Sequence, residues 1–252
     1  MLNYNVKNIR QMECLKQINR CTIPLCFIDV EDKTSHLGTG VLIRTEKNYY
    51  LLSARHVFEN DENRLNLETI DKVVFCKGYD VYPIIGEFAC YPAEENIDII
   101  VCQLENTTKE VLSQFFEFLP SDLILPSSRL KHTKDYYIVG YPIGKVKRVY
   151  PYSENSYERS LYVIETAGLG DDEFNFNVEY HRRKMKNLDT GLRTTAPKVK
   201  GMSGCGLWYK FQDNIYLVGI VHYFNDKKSL ISATKIDYAT DILIREFNDS
   251  YE

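Results

Sequence analysis

The chain has 252 residues, 44% of them hydrophobic, and its 31 Lys and Arg against 35 Asp and Glu leave a net charge of −4. That length can bury a full core, and the acidic balance gives no electrostatic footing for nucleic acid. No apolar run approaches the length needed to span a bilayer, so a soluble protein that does not enter a membrane is expected.

Residues 1–21 open the chain with Val6, Ile9, Met12, Leu15 and Ile18 at helical spacing among polar residues, a helical strap able to lie across the body of the protein. From 22 to 106, apolar runs at 24–30, 40–43, 49–53, 72–76, 81–89 and 98–104 alternate with polar turns. Short strands divided in this way fit a closed antiparallel barrel. A linker over 107–134 carries a helix at 107–118, with Val111, Leu112, Phe115 and Phe116 on one side. A second set of runs at 136–140, 147–150, 161–165, 199–200, 205–210, 215–221 and 231–234 fills a second barrel over 135–234. The stretches 153–157, 168–176 and 181–198 read as loops. Residues 235–252 close with a helix carrying Ile236, Ala239, Ile242, Leu243 and Phe247. The fold class is therefore all-β, with two six-stranded antiparallel barrels, an N-terminal helical segment and a C-terminal helix.

Three local patterns carry chemistry. In Lys200-Gly201-Met202-Ser203-Gly204-Cys205-Gly206, a serine lies among small residues. A serine hydroxyl needs a base to become a nucleophile, and a reacting carbonyl oxygen needs backbone N–H donors close by, which flanking glycines allow. Alone, that turn is a weak signal. His56 follows the apolar run Tyr49 to Ser53, just past the second strand of a hairpin. Asp98 opens the run Ile99 to Leu104. A carboxylate at the start of a buried strand faces water or has a dedicated partner, and an imidazole N–H would be one.

With His56, Asp98 and Ser203 in that order, the chain resembles the trypsin-like serine peptidases of chymotrypsin fold, and among them the bacterial intracellular branch with the high-temperature-requirement protease domain. The resemblance spans about residues 22 to 245. It is carried by Gly38-Thr39-Gly40, Leu51-Leu52-Ser53-Ala54-Arg55-His56-Val57, Asp98-Ile99-Ile100, Val139-Gly140-Tyr141-Pro142, Gly201-Met202-Ser203-Gly204 and Leu217-Val218-Gly219-Ile220-Val221. It implies a serine endopeptidase acting on protein or peptide substrates through an acyl-enzyme, with Ser203 as nucleophile, His56 as base and Asp98 holding the imidazole. The backbone N–H groups of Gly201 and Ser203 would form the oxyanion hole. No cofactor and no metal are implied. A regulatory protein partner, and a place as a gated effector or accessory protease in bacterial stress or anti-phage defence, are further expectations. The competing expectation is a catalytically silent peptide-binding module on the same fold.

Seven cysteines without a regular framework, Val57 where secreted relatives bridge a cysteine, and polar first residues argue for reduced thiols and a cytoplasmic location. No Arg-Ile-Val-Gly-Gly site suggests zymogen cleavage. The basic cluster from His181 to Lys186 reads as a solvated loop. The residues expected to meet substrate are Lys198, His222, Tyr223 and Phe224. No carboxylate occurs from Thr194 to Lys200, so a Lys or Arg preference is not expected, and the aromatic pair at 223–224 would narrow the cleft. Cys205 reads as a small packed thiol rather than a rival nucleophile.

Overall fold

A computed structural model describes residues 15–28, 34–60, 64–77, 80–92, 95–130, 136–142, 146–148, 157–159, 162–180, 185–186, 193–194, 199–212 and 214–249. The expected strap is a helix at 15–21 (α1), its earlier residues lying outside the described ones. The first sheet takes β1 (Thr22–Ile28), β2 (Thr34–Arg44), β3 (Tyr49–Ser53), β4 (Val73–Lys77), β5 (Asp80–Pro83), β6 (Gly86–Cys90), β7 (Ile100–Leu104) and the short β8 (Leu119–Pro120). Its order is β5-β4-β1-β2-β3-β7-β6, antiparallel throughout except for β8, which runs parallel beside β2. Helices α2 (Leu67–Asp71) and α3 (Asn106–Leu112) lie between these strands.

The remaining strands are β9 (Tyr136–Gly140), β10 (Val146–Arg148), β11 (Tyr157–Arg159), β12 (Tyr162–Thr166), β13 (Gly168–Asp171), β14 (Asn175–Glu179), β15 (Met185–Lys186), β16 (Arg193–Thr194), β17 (Gly206–Phe211), β18 (Asn214–Asn225) and β19 (Leu230–Lys235). Seven of them form the second sheet, in the order β12-β9-β17-β18-β19-β14-β13. The two short pairs β10–β11 and β15–β16 stand apart, and α4 (Ile236–Phe247) follows β19.

Two antiparallel sheets with few helices match the expected class, with eight and seven strands rather than six and six. The run at 81–89 divides because Ile84 and Ile85 turn their backbone outside the ladder: Ile84 N–H donates to Val73 O, Ile85 N–H to Thr108 Oγ1, and Ile85 O accepts from Glu105. The stretch at 168–176, expected as a loop, is a hairpin. Asp172 Oδ1 accepts from the N–H groups of Phe174 and Asn175, building the turn, and β14 then alternates buried Phe176 and Val178 with polar neighbours. Residues 199–200, expected as a strand, belong to a turn in which Met202 N–H donates to Val199 O.

Period-two alternation sorts the core into three clusters. Ile23, Leu25, Leu42, Leu51, Phe75 and Cys102 fill the inside of the first sheet, so β4 and β7 share one core and the sheet must curl. Ile138, Ile164, Val178, Leu207, Val218 and Ala233 do the same in the second. The opposite faces meet: Val41, Ile43, Tyr50 and Leu52 pack with Tyr137, Val139, Trp208 and Leu217 and with Ile236, Ala239, Ile242 and Leu243 of α4. Past α4, Asn248 takes a left-handed turn with φ of 51°, and the buried Asp249 carboxylate accepts from Thr45 Oγ1 at 2.7 Å, Tyr50 Oη at 2.8 Å and Asn48 Nδ2 at 3.0 Å. Among the described residues, no helix is long and apolar enough to cross a membrane.

Candidate active site

Where β3 ends, the chain enters a short 3-10 turn, Arg55–Phe58. Its anchors are buried: Val57 and Phe58 enter the first core, while Arg55 pairs with Glu59 at 2.5 Å and donates to Tyr91 O at 3.2 Å. Between these fixed neighbours the His56 side chain is left 39% exposed. Asp98 lies just before β7, flanked by buried Ile97 and Ile99 and preceded by Asn96 in a left-handed conformation (φ 55°) that asparagine tolerates well. The Asp98 carboxylate takes both donors that His56 offers: Nδ1 lies 2.6 Å from Oδ2, and the backbone N–H reaches Oδ1 at 3.1 Å. This bidentate contact sets the ring orientation and leaves Nε2 as the free face of the imidazole.

The serine turn is pinned to the first sheet. Thr39 N–H donates to Ser203 O at 2.8 Å, and Thr39 Oγ1 to Gly201 O at 3.1 Å; His36 Nε2 also meets Gly201 O at 3.0 Å. Gly38 sits where a Cβ would come within 2.8 Å of Ser203 O and 3.0 Å of Val57, so the serine turn and the histidine turn touch the same strand. Gly201 and Gly204 have φ of 90° and 87°, which side chains resist. Among the described residues, nothing accepts from the N–H groups of Gly201 or Ser203. No hydrogen bond joins Ser203 Oγ to His56 in this structure. In unliganded sites that bond is often long and tightens when substrate binds.

Asp98 and His56 shift each other's pKa in opposite directions. Burial alone would push the Asp98 carboxyl up, but hydrogen bonds and charge from His222 and His56 hold it below the usual carboxylate range. Burial pulls His56 down, yet the hydrogen bond and charge of Asp98, aided by Glu59, leave its pKa raised. Cys205 is fully buried, burial pushes its thiol up, and its Cβ packs against Gly140.

Beside Ser203 lies a cavity of about 30 Å³ bordered by Ile138, Val199, Met202, Val221, Phe224 and Ile231, with His222 and Tyr223 at its edge. Such a volume holds about two water molecules. Phe224 is held edge-on to Tyr180, ring centroids 5.0 Å apart, and Tyr223 is half exposed. Lys198 lies outside the described residues. His222 borders this cavity, but its ring nitrogens engage other groups: Nδ1 is 3.5 Å from Asp98 Oδ2, and Nε2 is 2.9 Å from Asn175 Oδ1. The cause is a bulge. The pairing of β18 with β19 slips between Val221 and Tyr223, and a bulged residue re-aims its side chain. His36, Thr39 and Asn175 complete the site without having been singled out for these contacts; Thr39 was visible only inside its Gly-Thr-Gly run. Among the described residues, no cluster of His, Cys, Asp and Glu is arranged to hold a metal ion.

No family model and no curated protein sequence matches this chain. Among solved structures, a thermostable serine protease from an extremophilic microorganism shares the fold, with a TM-score of 0.51 over 86% of this chain and 91% of that one, at 12% sequence identity. The two-sheet architecture is that of the two-barrel, chymotrypsin-like fold.

Proposed function

We propose that this chain is a serine endopeptidase in which Ser203 is the nucleophile, His56 the general base and Asp98 its orienting carboxylate. The observation that carries the reading is the His56–Asp98 contact of 2.6 Å beside a strand whose Gly38 meets both the Ser203 turn and Val57, the neighbour of His56, with Thr39 N–H donating to Ser203 O. With Nδ1–H committed to Asp98, Nε2 is the basic nitrogen. It takes the Ser203 proton as Oγ adds to the substrate carbonyl, and returns that proton to the leaving amine. The negative oxygen formed in that step requires donors, and the N–H groups of Gly201 and Ser203 serve; the Ser203 N–H shares its peptide plane with Met202 C=O, which the Cys205 N–H holds at 3.0 Å. Water then attacks the acyl-enzyme with His56 again as base.

The cavity beside Ser203 has apolar walls and, among its described lining residues, no carboxylate, which favours a small or apolar side chain before the scissile bond. A fluorophosphonate probe should label the wild-type protein, and Ser203→Ala should abolish labelling. Failure of the wild type to label would favour a silent peptide-binding module. In a peptide-library digest, cleavage should follow Ala, Val or similar residues; cleavage after Lys or Arg would contradict the pocket reading.

A further inference from the structure

Asp98 has a second partner. His56 Nδ1 and His222 Nδ1 both approach the same oxygen, Oδ2, at 2.6 and 3.5 Å. The far nitrogen of His222 is also committed, facing Asn175 Oδ1 at 2.9 Å. The orientation of that amide follows from its other end: Asn175 Nδ2 donates to Asp172 Oδ1 at 3.2 Å, and the Asn175 N–H reaches the same oxygen at 2.7 Å. Turning the amide over would set its oxygen against the Asp172 carboxylate. Both ring nitrogens of His222 thus face acceptors, which hold the ring between Asn175 and Asp98.

We propose that His222 is a positioning residue which shares Asp98 with His56 and thereby lowers the basicity of His56. The two Nδ1 atoms approach the same carboxylate oxygen. A second partner draws on the carboxylate that would otherwise stabilise charge on His56 alone. The bulge at 222 and the 15% exposure of the His222 side chain keep the ring in this row rather than in solvent. Asp98 is held below the usual carboxylate range by His222 as well as by His56, in keeping with two partners.

The other charges around the row are accounted for. Asp172 acts through Asn175; Lys235 of β19 pairs with Asp171 at 3.3 Å and donates to Asp172 O; Arg55 and Glu59 pair with each other beside His56. β18 itself carries no carboxylate or ammonium from Asn214 to Asn225.

The consequence for catalysis rests on His56 being the base; the coupling itself does not. It is tested by NMR titration of the histidine Cε1–H signals, five residues in all, in a Ser203→Ala background with and without His222→Asn. The His56 midpoint should rise by about one pH unit in the double variant. A His56 midpoint that does not move overturns the proposal. If His222→Asn does not fold, Asn175→Ala takes its place. It removes the acceptor at Nε2 and should move His56 in the same direction; an unmoved midpoint overturns the proposal equally. Fluorophosphonate labelling of the wild type separates the two readings. Coupling without labelling refutes the enzyme, and labelling without coupling refutes the role of His222.

Discussion

Gly204 shows how little freedom one residue has beside Ser203. A Cβ there would come within 2.0 Å of Thr39 O and 2.1 Å of Ser53 Oγ, at a φ that L side chains avoid. Gly204→Ala should therefore cost roughly 2 to 4 kcal/mol in urea unfolding and abolish probe labelling together. For His56 the expected pH dependence follows from sign. Its raised pKa keeps it protonated, and so unable to accept a proton, to a higher pH than a free histidine, whose midpoint is about 6.5. Activity should thus fall as the pH drops through a midpoint above that value, measurable as the acid limb of kcat/KM, while Asp98 stays ionised throughout. In the folded protein these groups work in opposite windows. His56 stabilises below its unfolded pKa and loses that contribution as the pH rises; Asp98 stabilises above its own and loses it on acidification. His56, Asp98 and Ser203 could be singled out in the sequence because each carries a local pattern of strand end, buried-strand start and glycine turn. The partners of His222 could not, because a one-residue bulge leaves no compositional mark and Asn175 looks like any polar residue on an alternating strand.

At the scale of elements, α4 is the part most fully legible beforehand. Its apolar positions recur at helical spacing, and four of them, Ile236, Ala239, Ile242 and Leu243, enter the core between the sheets. Leu243 is wholly buried, so Leu243→Ala should destabilise the protein by about 2 to 5 kcal/mol in a denaturant titration. Just beyond it, Asp249→Ala would strip three donors, two of them on buried residues, of their common acceptor; a loss of about 2 to 4 kcal/mol is expected by the same measurement. Strands with clear apolar runs were equally readable, as at 49–53 and 136–140. The β13–β14 hairpin was hidden because Gly168 to Asp171 is exposed along its whole length and signals a strand only through its partner.

For the molecule as a whole, the two sheets do not stand on separate foundations. Trp208, the sole tryptophan, is fully buried where β2, β3, β9, β17 and α4 converge. Its emission should therefore report on both halves at once and change in one transition coincident with the far-UV circular dichroism. Two separated transitions would mean that the sheets unfold independently. That shared core also sets a timetable during synthesis. His56 leaves the ribosome early, but the serine turn comes later, and the helix that completes the core later still. At about 5 to 20 residues per second, roughly 10 to 40 s separate translation of His56 from that of Leu243. A nascent chain would pass this interval with Val41, Ile43, Tyr50 and Leu52 uncovered on the face that later meets the second sheet.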